Sequence, residues 1–430
     1  MNTNTPAVRL RRAERSQVEI HTLSLDQMLP PDHVARVVWD AVKDLDVTPL
    51  LADIRSVEHH AGNPAIDPRL LIALWLLATI HGVGSARDLE RRCREHTAYR
   101  WLCGGVPVNY HTLSDFRTGR VEFLDELLTT SVAGLLHQDL IVLDRVAQDG
   151  MRVRASAGKA SFRRHTTLQK CLAEAEAQVQ ALKAQAQADP SVNAKRQQRL
   201  AEDRAARIAA ALAEARQLAQ RRQEVQASKG VKAQEPRAST TDPEARVMKM
   251  PDGGYRPAYN VGLATTTVGG IIAGADVTNQ GSDSGQLAPM AEQLEARYGA
   301  KPKEVLADGG FATLDDIQAM HADHHVVVYA PVKDEQKKRE AGADPFAPRP
   351  RDPEGVALWR QRMGTAAAQA IYVERAQTAE WANAGMRNRG LYQFRLRGLA
   401  KVKAVVLWYV LAHNLLQATL LRARSQATGG

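Results

Sequence analysis

The chain has 430 residues, 24% of them charged and 44% apolar, and its 57 Lys and Arg exceed its 48 Asp and Glu, leaving a formal charge of +9. Both fractions are those of globular proteins, which excludes a wholly disordered or fibrous chain, and the length predicts two or three domains. Cys93, Cys103 and Cys171 are too few and too scattered for a disulfide framework or a structural zinc site, so a reducing compartment is expected. Met1–Arg15 is polar, without the apolar core of a signal peptide. Val402–Leu421 is the most apolar long stretch, but Lys403, His413, Asn414 and Gln417 within it argue against a membrane span. The net charge allows a polyanionic partner without establishing one.

Residues 16–135 read as an all-helical domain. Pro30-Pro31-Asp32 is a start signal, and Val34, Val37, Val38 and Val42 recur at helix spacing. Asp67-Pro68 opens a helix with Asp67 as N-cap and Pro68 in the first turn, and Leu70–Ile80 is its apolar run. Ser85 caps the next helix, Ala86 to about Glu95; after a glycine-containing link, Thr112–Arg117 and a longer helix through Phe123, Leu124, Leu127 and Leu128 follow. Arg87, Arg91, Arg92, Arg94, Arg100, Arg117 and Arg120 lie along these helices. That arrangement suits a helical DNA-binding module, and equally a bundle with a solvated basic face.

At Leu140 the period changes. Ile141-Val142-Leu143 reads as buried strand, and Val146–Ala155 as a strip that ends or bends around Gln148-Asp149-Gly150. Residues 165–229 hold 18 Ala and 11 Gln with helical spacing, split by Asp189-Pro190, which predicts an antiparallel helical hairpin with arms of about 24 and 35 residues. A polar linker, Lys229–Pro243, leads to strands at about Tyr259–Thr266 and Gly270–Thr278. Next come a helix Gln286–Tyr298 closed by Gly299, a short strand Val305–Ala307, a helix Leu314–Met320 and a strand Val326–Ala330. Lys333–Gly355 reads as a surface loop, Pro353–Met386 as helical, and Leu399–Arg422 as a core helix docked on the sheet. The pattern is an α/β core with one long insertion.

Three carboxylates stand out by position. Asp149 lies in or just after the first strand, Asp308 ends a buried strand before two glycines, and Glu380 lies on a later helix with Tyr372, Arg375 and Arg387. Carboxylates gathered from strand ends and a facing helix can hold two Mg²⁺ ions, which activate an attacking hydroxyl and stabilise a leaving oxygen in phosphodiester chemistry. Glycine beside each strand aspartate lets a phosphate backbone approach. Asp-Gly is also an ordinary turn, and a helical glutamate is ordinarily solvated. On an α-helix Arg387 shares the side of Glu380, whereas Arg375, five residues before it, does not. His111 reads as a phosphate contact or a local cap, and His59, His60, His321, His324 and His325 lack clean ligand spacing. No P-loop, G-x-S-x-G, G-x-G-x-x-G or H-E-x-x-H is present.

Taken together these segments resemble the DDE transposases of bacterial insertion sequences, in the group related to IS4- and IS5-type elements, over nearly the whole chain. Leu29–His33, Asp67–Leu70, Gly82–Arg87 and Tyr110–Arg117 look like the family's N-terminal helical domain; Gln148–Ala155 and Leu306–Phe311 look like the segments of its two catalytic aspartates. Tyr372, Arg375, Glu380 and Arg387 look like the signature carrying its glutamate. Four residues separate Arg375 from Glu380 where the commoner signature has three, and Arg387 replaces a lysine. Glu374 competes with Glu380, and Asp144 with Asp149. Asp242–Arg246, Tyr259-Asn260 and Thr278–Asp283 also resemble family segments and fit substrate positioning, with Lys249 and Arg256 as further phosphate contacts. The resemblance implies a ribonuclease H-like catalytic core over 140–422, interrupted by the 165–229 hairpin. It implies Asp149, Asp308 and Glu380 as catalytic residues holding Mg²⁺ or Mn²⁺, with Arg387, Arg375, Tyr372, Arg152, Arg117 and His111 on DNA. The expected partners are double-stranded DNA, both terminal inverted repeats and target, and a second copy in the synaptic complex, with no membrane. The expected place is the bacterial cytoplasm, at the nucleoid when on DNA.

Overall fold

The computed structural model describes residues 22–52, 64–188, 192–229 and 235–428, with Ser16, Val18, Ile54 and Ser56. The polar Met1–Arg15 segment, His59 and His60, and the Asp189-Pro190 break lie outside the described residues. Helices α1 (Val34–Val42), α2 (Thr48–Leu51), α3 (Pro68–Ile80), α4 (Ala86–Glu95), α5 (Thr97–Cys103), α6 (Tyr110–Thr118) and α7 (Val121–His137) come first. Their starts follow the sequence: the Asp67 carboxylate accepts from the Arg69 N–H, the Ser85 hydroxyl from Asp88 and the Asn109 side chain from Thr112. Helix α3 is apolar all round and buried on every side, as a central helix must be. Its Trp75 indole donates to the Leu113 carbonyl at 2.9 Å.

Strands β1 (Arg145–Arg154) and β2 (Phe162–Arg164) lead into the hairpin arms α8 (His165–Ala188) and α9 (Val192–Lys229), which return to β3 (Arg237–Ser239), paired antiparallel with β2. The remaining elements are β4 (Arg246–Lys249), β5 (Tyr255–Thr266), β6 (Ile272–Thr278), α10 (Leu287–Tyr298), β7 (Glu304–Ala307), α11 (Leu314–Ala322), β8 (Val327–Tyr329), α12 (Glu335–Glu340), α13 (Glu354–Met363), α14 (Ala366–Arg375), a π-helical segment Ala376–Glu380, α15 (Trp381–Asn388) and α16 (Leu399–Thr428). Six strands form one mixed sheet in the order β4-β5-β1-β7-β8, with β6 also on β5. Strands β1, β7 and β8 run parallel and the rest antiparallel. A mixed sheet with extensive helical flanks is consistent with the expected class of catalytic core.

Several expectations need correction. The first strand is β1, not Ile141–Leu143, and it runs straight through Asp149-Gly150 because β5 pairs with it from Val146 to Arg154. Strands β2, β3 and β4 lie in stretches too short and polar to read, and α12 sits inside the supposed loop. The hairpin arms are 24 and 38 residues long and pack through Leu168, Ala211, Leu212 and Ala215. All three cysteines are free.

Helix α16 joins the layers. By length and composition Leu399–Ala427 could cross a membrane, but 67% of its apolar window is buried inside the protein. Trp408 donates to the Arg117 carbonyl at 3.0 Å, while Asn414 accepts from the Ile272 N–H and donates to its carbonyl. One continuous apolar core therefore runs from the N-terminal helices through α16 to the sheet. The segment Asp242–Glu244 supplies the start of α16: Gly398 N–H donates to Asp242 Oδ1 and Leu399 N–H to Glu244 Oε2. Its visible work is capping, worth about 1 kcal/mol per cap, rather than substrate positioning.

His413 is buried on α16, beside the Trp381 ring and hydrogen-bonded to the Gly270 carbonyl. Burial pushes its pKa down to about 4 from 6.5. Unfolded chains take up the proton first, so its contribution is complete above pH 6.5 and is lost as pH falls towards 4. The linkage is worth about 3 kcal/mol at most. Denaturant melts at pH 7 and pH 4.5 should show His413→Gln losing less stability on acidification than the wild type.

Candidate active site

The register of the sheet puts two aspartates side by side. Parallel pairing of β1 with β7 matches Gln148 to Ala307, and the next residue in each chain direction is Asp149 and Asp308. The parallel pairing ends here: β7 stops at Ala307, while β1 continues along β5 to Arg154. Asp308 Oδ1 accepts from the Gly310 and Phe311 N–H groups at 2.7 and 3.3 Å, which fixes the turn and leaves Oδ2 facing the site. Asp149 Oδ1 accepts from Gly150 N–H at 2.9 Å and from Arg375 Nη2 at 3.2 Å, and Oδ2 from Asn383 Nδ2 at 2.8 Å. Burial raises the Asp149 pKa, and the Arg375 charge opposes that rise.

Arg375 stands at the centre. The Nη2 that meets Asp149 is 3.9 Å from Asp308 Oδ2, and Nη1 is 3.9 Å from Glu380 Oε1. On a regular α-helix a residue five positions along is rotated by about 140°, which is why the sequence argued against Arg375. The chain solves this with the π-helical segment Ala376–Glu380. Its wider i→i+5 turn absorbs the fourth intervening residue and returns Glu380 to the face of Arg375. Four intervening residues thus still leave Glu380 facing Arg375.

The competing acids point elsewhere. Arg145 donates to both Glu374 oxygens at 2.8 and 2.9 Å and to Glu304, tying α14 to β1 and β7. Asp144, before β1, is paired with Lys303 at 3.1 Å, one strand length from Asp308.

The other expected residues divide. Tyr372, one turn before Arg375, is half-buried, and burial raises its hydroxyl pKa beside Arg375, Asp308 and Asp149. Arg387 is exposed on α15, seven residues beyond Glu380. Arg152 donates to the Gly281 carbonyl at 3.0 Å and to Asp283 at 3.2 Å. Arg117 has interior partners in place of a phosphate: it is buried, its guanidinium lies 4.6 Å over Trp75, and Nη1 donates to the Gly84 carbonyl. His111 is exposed against Tyr110, and the cap of α6 is Asn109 instead. Of the basic helical residues, Arg91, Arg92 and Arg94 pair with acids on α4, and Arg87 lies over Tyr110. Arg256 pairs with Asp252.

One group escaped the sequence, and a second was read only as part of a segment. Asn383 lies three residues after Glu380, one turn along the same helix face, a spacing that could have flagged it. The buried pair Asn260 and Asp283 lies behind Gly150, with Asn260 Nδ2 donating to Asp283 Oδ1 at 2.5 Å. A Cβ on Gly150 would lie 2.8 Å from that carboxylate oxygen, so the residue after Asp149 has no room for a side chain.

Among the described residues no three His, Cys, Asp or Glu side chains stand close enough to hold an ion without rearrangement. The donor chemistry does fit a hard divalent cation: three carboxylates surround a position that already holds positive charge. Asn383 Oδ1, beside Asp149, is buried without a hydrogen-bond partner, the kind of acceptor that an ion or its water satisfies.

A mixed sheet carrying two aspartates where its parallel pairing ends, faced by an acid and an arginine from a helix, gathers three carboxylates around one guanidinium. Two family models match the chain, a transposase domain (DUF772) over residues 23–119 and a transposase DDE domain over residues 353–418. They make the N-terminal helices and the stretch from α13 into α16 similar to transposase domains, the second of them of the DDE class. No curated protein and no solved structure matches the chain.

Proposed function

We propose that this chain is an IS4/IS5-related transposase with a ribonuclease H-like core. In this reading it binds the terminal inverted repeats of its element, cleaves phosphodiester bonds there and joins the freed strand to target DNA. The observation that carries the reading is the convergence of Asp149, Asp308 and Glu380 on one guanidinium where the parallel pairing of β1 and β7 ends. These three carboxylates would hold Mg²⁺ or Mn²⁺, two ions of which supply activation of the attacking hydroxyl and charge stabilisation at the leaving oxygen.

The residues of the chain do the positioning. Asn383 fixes the carboxylate of Asp149 by its hydrogen bond, and the Gly310 and Phe311 N–H groups fix that of Asp308. Arg375 presents a planar fork that can exchange carboxylate for the oxygens of a scissile phosphate, with Tyr372 beside it. Gly309 and Gly310 carry no side chain to obstruct a DNA backbone. Arg387, on the outer side of α15, meets DNA away from the carboxylates. Joining requires two element ends together, so the working form is at least a dimer, acting on the nucleoid of a bacterial cytoplasm.

A strand-transfer assay on duplexes ending in the terminal inverted repeats tests this. Joined product dependent on Mg²⁺ or Mn²⁺ is the expected result. Nicks without joining would reduce the protein to a nuclease, and identical behaviour of wild type and Asp308→Asn would leave only a DNA-binding relative.

A further inference from the structure

The chain's charge is concentrated away from the carboxylates. Between α9 and the β2–β3 ribbon lies a cleft of about 930 Å³, too large for a single ion. Six cations line it: Lys159, Arg164, Arg221, Arg222, Arg237 and Arg246. Against them stand two carboxylates, Glu235 in the lining and Glu214 paired with Arg246, a local excess of four in a chain whose total is +9. All the cations but Arg246 are exposed. Two ion pairs brace the walls, Arg164 with Glu235 at 3.4 Å and Arg246 with Glu214 of α9. The exposed Arg164–Glu235 pair contributes little to stability and exchanges readily for phosphate.

Hydrogen bonds link the cleft wall to the active site. The wall there includes Asn279, Gln280 and Gly281. The Gly281 carbonyl accepts from Arg152, which also holds Asp283 behind Gly150.

We propose that the cleft between α9 and the β2–β3 ribbon is a binding track for the phosphate backbone of duplex DNA, making the helical hairpin a DNA clamp. The chemistry favours a duplex over an unpaired strand. Single-strand tracks stack bases on exposed aromatic rings, and the one aromatic residue lining this cleft, Phe162, is buried. Binding through phosphates positions DNA without reading its sequence. The inference rests on the transposase reading, and the test separates the two.

Equilibrium binding to a random-sequence duplex, measured with EDTA over a range of salt, compares four proteins: wild type, Arg221→Gln, Arg237→Gln and the double variant. Each phosphate contact contributes about 0.9 to the slope of log affinity against log salt. The double variant should therefore lose about 2 in slope, and about tenfold in affinity at low salt. Each single variant should lose about half of that slope, so either suffices if the pair misfolds. Lys195→Gln with Arg199→Gln, exposed on α9 outside the cleft, should change neither quantity. Unchanged slope in the cleft variants with normal wild-type binding overturns the clamp alone. A wild type without salt-dependent duplex binding overturns the clamp and the transposase reading together.

Discussion

Asp308→Asn should abolish DNA cleavage while leaving the fold and DNA affinity intact. The substitution keeps an oxygen where Oδ1 accepts from Gly310 and Phe311, so the turn after β7 survives. The side chain is 42% exposed and makes its ion-pair contact with Arg375 only at 3.9 Å, so little stability depends on its charge. What disappears is a negative oxygen at the strand end. Charge stabilisation by a bound divalent ion is worth several kcal/mol, and at 1.36 kcal/mol per decade the loss should be about a thousandfold in rate. Single-turnover cleavage of an inverted-repeat duplex, with a melting curve and a binding isotherm alongside, measures all three quantities. A variant that cleaves within tenfold of wild type would remove Asp308 from the chemistry.

The second large effect concerns spacing. Deleting Gln377 leaves three residues between Arg375 and Glu380, a separation that a regular α-turn holds within about 40° of one face. The π-helical segment then relaxes to α-helix, and cleavage should stay within about tenfold of wild type, or about 1.4 kcal/mol. Adding one alanine after Gln377 instead puts the glutamate six positions along, rotated by about 120°. That protein should fall to the level of Glu380→Gln. The pair of lengths matters: each changes the chain by one residue at the same exposed site, so a general disturbance would affect both alike. If deletion and insertion are equally inactive, the π-turn serves something other than facing.

This contrast shows where sequence reading succeeded. Asp67 and Ser85 cap helices as read because capping is a contact between neighbours in the chain. Asp308 was legible because a four-residue apolar strand, two glycines and an acid are all local. Asp149 was half legible: its dipeptide signals a turn, but the β5 ladder overrides that preference and holds it extended. The facing of Arg375 and Glu380 was hidden, because helical periodicity assumes a uniform turn and a π-segment breaks it. Arg145 bridges Glu304 and Glu374, and Asn260 holds Asp283, across separations that no local pattern encodes. Arg117 shows the reverse error. Membership of a basic run suggested solvent, while its position over Trp75 makes it interior.

Helix α16 follows in chain order every element it packs against. During synthesis the N-terminal helices and the sheet emerge first, each with apolar surface that residues 399–428 later pack against. Its N-terminus also waits on Asp242 and Glu244, made long before. Both layers therefore complete their shared core only once α16 has been made.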